Sequence, residues 1–160
     1  MDNHFDFLSY FSSYTISISE NGDCAEIQNP FGNDNLIIIY TPDSLPYTAI
    51  FPFYHCHFES ADETIEFVDR FISGRSVCFA RAHHGNITWS TEIATERLKD
   101  LSIKTLEQIC NPSGKLKPSF RFTDSVHIRG WHPKDNFDGM ILRDAGGNWF
   151  LQKSGAIHDR

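Results

Sequence analysis

The spacing of apolar residues along this chain changes period several times, and each change marks an element. After a short aromatic N-terminal segment, TISIS alternates apolar and polar residues with period two, and CAEIQ does the same after ENGD. Such alternation places successive side chains on opposite faces of a strand, and Asn-Gly between two such runs signals a hairpin. NPFGND supplies another turn. LIIIY is a continuous apolar run rich in β-branched residues, which predicts a central strand buried on both faces. TPDSLP reads as a loop, and residues 47–58 read as extended, with Pro52 marking an edge, a bulge or a break.

The period then turns helical. Ser60 stands three residues before Glu63, as in a capping box. Asp62 and Glu63 fall in the first turn, Arg70 and Arg75 at the far end, and Gly74 provides the stop. Ile65, Val68, Phe71 and Ile72 recur at helical spacing, so SADETIEFVDRFISG predicts an amphipathic helix laid on a sheet. Its outward stripe, Asp62, Glu66 and Asp69, is entirely acidic. Glu66 has Arg70 four residues on, whereas Asp62 and Asp69 have no obvious local counter-ion.

SVCFARA predicts the next strand, HHGN a turn and ITWST a further strand. Helical spacing returns over residues 95–110 through Leu98, Leu101, Leu106 and Ile109, with Ser102 restarting the helix after a break. Beyond NPSG, the runs PSFRFT, SVHIRGW, GMILRD and NWFLQK read as two hairpins turned at TDS and AGG. No repeat, low-complexity tract or linker divides the chain. Strands outnumber helices and tight turns join most of them. The pattern predicts a single α+β domain over residues 1–160, a largely antiparallel sheet with about two helices packed on it.

A chain of 160 residues can bury a core without staples, since a domain near that size hides about 70% of its unfolded surface. Fourteen Phe, five Tyr and three Trp fit a sheet-rich interior. No apolar run approaches the roughly 20 residues of a membrane helix. MDNHFDFLSY carries acids where an export signal carries positive charge, so the expected location is the cytoplasm. There Cys24, Cys56, Cys78 and Cys110, with no C-x-x-C pair, read as small buried hydrophobes with inert thiols. Their even number would also suit two disulfides in a secreted chain.

Charge is unevenly spread. Residues 1–110 hold 6 Lys/Arg against 16 Asp/Glu, or −10; residues 111–160 hold 8 against 5, or +3, and together they give −7. An acidic first two-thirds argues against general nucleic-acid binding, which depends on neutralising phosphates. It suits a basic protein partner, and equally a surface that only keeps the chain soluble.

Three constellations could carry chemistry. His55 and His57, two apart on a strand, share a face at a spacing used by metal sites, and His83, His84 and Glu59 could complete a zinc centre. No motif of fixed metal-ligand offset supports this. The preferred reading is that these imidazoles are structural, hydrogen-bonded to backbone or carboxylates on the strand that leads into the Ser60 cap, with no cofactor. For nucleophilic catalysis there is no G-x-S-x-G elbow, and Cys56 and Cys78 lie in apolar strands that raise a thiol pKa. Gly146 and Gly147 belong to a hairpin turn, and no spacing selects a His–Asp pair for acid–base work. Finally, Arg121, Arg129, Trp131, His132 and Lys134 join positive charge to aromatic surface that could stack on an RNA or a protein. In so acidic a chain, Trp131 reads better as core and the arginines as the edge of a strand.

The strand YHCHFES, the capped acidic helix ADETIEFVDRFISGR and the following VCFARAHHGNITW resemble an arrangement found in small immunity proteins of bacterial polymorphic toxin systems. The resemblance covers about residues 47–90. It implies a cytoplasmic, non-catalytic, acidic α+β protein that binds a cognate toxin and blocks its active site, and it transfers no binding residue by motif. The expected function is therefore a protein-binding module that neutralises a basic toxin, with Asp62, Glu66 and Asp69 facing the partner. The alternative is a metal-dependent, hydrolase-like enzyme using His55 and His57.

Overall fold

The computed structural model describes residues 4–114, 120–121 and 124–154. It contains two antiparallel five-stranded sheets, and the α+β class expected from the pattern holds. The first sheet is a meander of β1 (Ile16–Ile18), β2 (Cys24–Ile27), β3 (Leu36–Tyr40), β4 (Tyr47–Phe51) and β5 (Tyr54–Phe58), in chain order. The second runs β10-β9-β8-β6-β7, built from β6 (Ser76–His83), β7 (Asn86–Ala94), β8 (Asp124–Gly130), β9 (Phe137–Arg143) and β10 (Trp149–Lys153). Helix α1 (Ala61–Ile72) links the sheets, and α2 (Ile103–Cys110) lies between β7 and β8 in the chain. Residues Thr95–Asp100 form a 3-10 turn before α2, and the Ser102 hydroxyl accepts the Thr105 N–H, so the break and restart fall where expected.

Local chemistry explains the tight turns. Phe51 pairs with Tyr54, leaving Pro52 and Phe53 as a two-residue turn with Phe53 at φ 68°. Pro52 thus breaks the extended run into two paired strands. His83 pairs with Asn86 across His84 and Gly85, both at positive φ, the conformation that lets a two-residue hairpin follow the twist of its strands. The AGG turn also forms, with Arg143 opposite Trp149. At TDS, Asp124 and Ser125 already belong to β8, the Asp124 N–H donates to the Arg121 carbonyl at 3.0 Å, and much of the strand expected before it falls outside the described residues.

In α1 the Ser60 hydroxyl accepts the Glu63 N–H at 3.3 Å, while the Glu63 carboxylate accepts the Glu59 N–H at 3.0 Å. The buried face is Thr64, Phe67, Val68, Phe71 and Ile72. Thr64 and Phe67 join the expected set, and Ile65 is only partly buried, because the face is centred on i, i+3, i+4, i+7, i+8 from Thr64. Thr64 tolerates complete burial because its hydroxyl donates to the Ser60 carbonyl at 2.9 Å. Gly74 ends the helix at φ 72°, and a Cβ there would lie 2.9 Å from the His132 ring.

Two cores result. The first packs Ala25, Ile27, Leu36, Ile38, Ala49 and Phe51 of the first sheet against the N-terminal turn and α1, closed by Cys78 and Trp131. The second packs Val77, Phe79, Val126, Ile128 and Ile141 against Leu106 and Ile109 of α2. β3 is the central strand of its sheet but is not buried on both faces. Ile37 and Ile39 stay partly exposed, because the N-terminal turn and α1 both pack on the opposite side. No helix of the described residues is long and apolar enough to cross a membrane.

Trp131 has no exposed surface, as expected of core, and its indole N–H has no acceptor among the described residues. Its carbonyl accepts the Asn29 amide at 2.9 Å. Trp131→Ala should cost about 3–5 kcal/mol, the usual range for a large aromatic truncated in a core. Trp131→Phe should cost clearly less, because it keeps most of the burial and discards an unpaired donor. Urea denaturation of the two variants is the check.

Candidate functional site

The acidic stripe of α1 is outward, as expected, but its charges are not equivalent. Asp62 and Glu66 are exposed, and Glu66 meets Arg70 at 3.3 Å. Arg70 in turn donates to Glu92 on β7 at 2.8 Å, which ties the helix to the second sheet. Asp69 forms an ion pair with Arg75, so the expectation that it lacks a local partner is corrected: the chain turning at Gly74 brings Arg75 back over the last helical turn. The negative charge without a basic partner among the described residues is thus concentrated at the start of the helix, where Glu59, Asp62 and Glu63 are exposed, with Glu66 one turn on and offset by Arg70.

His55 and His57 share the outer face of β5, on the opposite side of the sheet from α1, with ring centroids 5.4 Å apart. His57 Nδ1 lies 2.8 Å from the Thr48 hydroxyl on β4. His55 is exposed and makes no hydrogen bond among the described residues. The expected backbone or carboxylate partners are absent for this pair, because alternation turns both rings to solvent. His83 does find a carboxylate, with Nδ1 2.8 Å from Asp124. His84 meets the His83 ring edge-on, and among the described residues no three His, Cys, Asp or Glu side chains gather as a metal-binding group.

Asp124 is fully buried and held by the Arg81 guanidinium, by His83 and by the Arg121 backbone N–H at 2.8 Å. Arg81 also lies over the Phe120 ring at 5.1 Å. A buried carboxylate survives only with such partners, so this cluster clamps the entry to β8 onto β6. The basic–aromatic C-terminal group does not assemble as a stacking platform. Trp131 is core, His132 packs on Phe31, and Arg129 pairs with Asp138. The four cysteines are free thiols, and burial pushes Cys78 up to about 12 and raises Cys24 and Cys110, in keeping with inert sulfur.

The sequence did not announce one constellation. Ser125, His127 and Arg129 alternate along one face of β8, and the register sets Asp138 of β9 opposite His127. His127 Nε2 lies 2.9 Å from the Ser125 hydroxyl, and Nδ1 lies 2.7 Å from the Asp138 carboxylate. Arg129 holds the same carboxylate, and Phe53 from the β4–β5 turn packs on both His127 and Arg129. The S-x-H-x-R alternation was a readable signal; the partner depended on strand register. This is the connectivity of an acyl-transfer triad. Such chemistry also needs donors aimed at the developing oxyanion. Ser125 lies within a strand flanked by β6 and β9, whose ladders use its backbone N–H and that of Val126, and Arg129 sits at the carboxylate end. The row ties the side chains of β8 to β9 across the strand pair.

For Asp138, burial pushes the carboxyl up, but hydrogen bonds from His127 and Arg129 outweigh it and hold the group below its ordinary value. A carboxyl depressed by folding stabilises the fold above its unfolded pKa, near 3.9, and loses that contribution as pH falls through the folded value. Asp138→Asn should therefore lower the melting temperature at neutral pH, and its deficit should close below about pH 4. Thermal melts of both proteins across pH test this. No family model matches the chain, and no curated protein or solved structure matches it either, so the reading of these surfaces rests on their own geometry.

Proposed function

We propose that this chain is a non-catalytic protein-binding module, an immunity protein that binds and neutralises a cognate basic toxin. The observation that carries the reading is the exposed acidic group Glu59, Asp62, Glu63 and Glu66 at the start of α1. Phe67 and Phe71 lock that helix into the first core, and the Ser60 cap fixes its first turn, so the charges are presented on a rigid element. Rigid complementary charge speeds encounter with a basic surface and rejects like-charged competitors. The imbalance of residues 1–110 adds a longer-range field of the same sign.

The test begins with capture of a stoichiometric partner from the native host, identified by mass spectrometry, and an assay showing that the chain inhibits it. Failure to find one, together with turnover of a small-molecule library, would overturn the reading. With the partner in hand, reversing Asp62, Glu66 and Asp69 to Lys should leave the fold intact and slow association at low salt. The deficit should shrink at physiological ionic strength, where exposed charges are screened over about 8 Å. Among single reversals, Asp62→Lys should slow association most and Asp69→Lys least, since Arg75 already offsets Asp69. Association of the triple variant at the wild-type rate in low salt would remove α1 from the interface.

A further inference from the structure

We propose that His55 and His57 form a two-imidazole chelate for a divalent transition-metal ion, independent of the toxin-binding reading. The rings share one face of β5, both side chains are exposed, and cross-strand pairing with Ile50 and Thr48 fixes their backbone. The His57 ring is held by the Thr48 hydroxyl across the strand pair, and the His55 ring makes no side-chain hydrogen bond among the described residues.

Imidazole nitrogen suits zinc, copper and nickel alike. The two rings stand edge to face with centroids 5.4 Å apart. The Thr48 hydroxyl occupies His57 Nδ1 at 2.8 Å and so leaves Nε2 as its open nitrogen. Outer partners of this kind set the tautomer and orientation of ligating histidines. The ion's remaining positions stay open to water or to a donor from another molecule. His83 and His84 are a poorer pair, because Asp124 already takes His83 Nδ1 and the rings lie 4.2 Å apart.

Zinc titration of the untagged full chain by calorimetry, with imidazole resonances followed by NMR, tests the site. The expected result is saturable binding, with shifts centred on His55 and His57. Binding should be lost in both His55→Ala and His57→Ala and kept in His84→Ala. Thr48→Val should weaken it about tenfold or more, as removal of an outer-shell partner does elsewhere. Thermal melts matching wild type confirm that each variant is folded. Absence of saturable binding, or binding that survives both histidine substitutions, overturns the proposal. So do shifts centred on His83 and His84, a readout that needs only the wild-type chain.

Discussion

β6 is the strand on which the rest of the molecule depends, because it faces two cores at once. Val77 and Phe79 point into the core under α2, while Cys78, between them, points into the core under α1. Such a strand has no solvent face over most of its length, and Ser76–Ala80 are buried without interruption. The usual outlet for polar groups is closed to it. Its two polar side chains at the far end, Arg81 and His83, are accordingly bound to the buried Asp124 of β8. One ladder therefore joins both hydrophobic interiors and the one wholly buried charge of the described residues, so disturbing β6 propagates to each of them.

Much of this architecture could be read from residue order, for a physical reason. Hairpins, caps and helical faces are local, and Asn21-Gly22, Ser60 and Ser102 act within a few residues of themselves. What could not be read is what depends on register and layering. LIIIY carries no mark showing that only one of its faces is covered, because that depends on where α1 lands. The partnership of His127 with Asp138 depends on which residues of β8 and β9 stand opposite each other. TDS reads as a turn, but only the burial of its aspartate shows what else it does. Its aspartate both accepts from Arg81 and His83 and closes a turn on Arg121, a double role that residue order does not show.

The candidate surfaces divide along the same line. The acidic helix start was visible in sequence, since helical spacing alone puts Asp62 and Glu66 outside. Its uneven charge was not, because the Asp69–Arg75 pair depends on the path of the chain after Gly74. The three surfaces stand on different elements. The acids stand on α1, the exposed imidazoles on the opposite side of the first sheet, and the Ser125–His127–Asp138 row on the second sheet beside Phe53. Phe53 joins the last two, since it precedes β5 in the hairpin and packs on His127 and Arg129.

Trp131 gives the molecule a built-in optical probe. Of the three tryptophans, Trp89 and Trp149 are partly exposed and flank the second core, while Trp131 is sealed into the first, edge-on to Tyr14. An indole shut away from water emits at shorter wavelength than one in contact with it. The blue part of the protein's fluorescence therefore comes from the first core and the red part from the second. Watching the two bands separately reports whether the halves on either side of β6 come apart together or in turn.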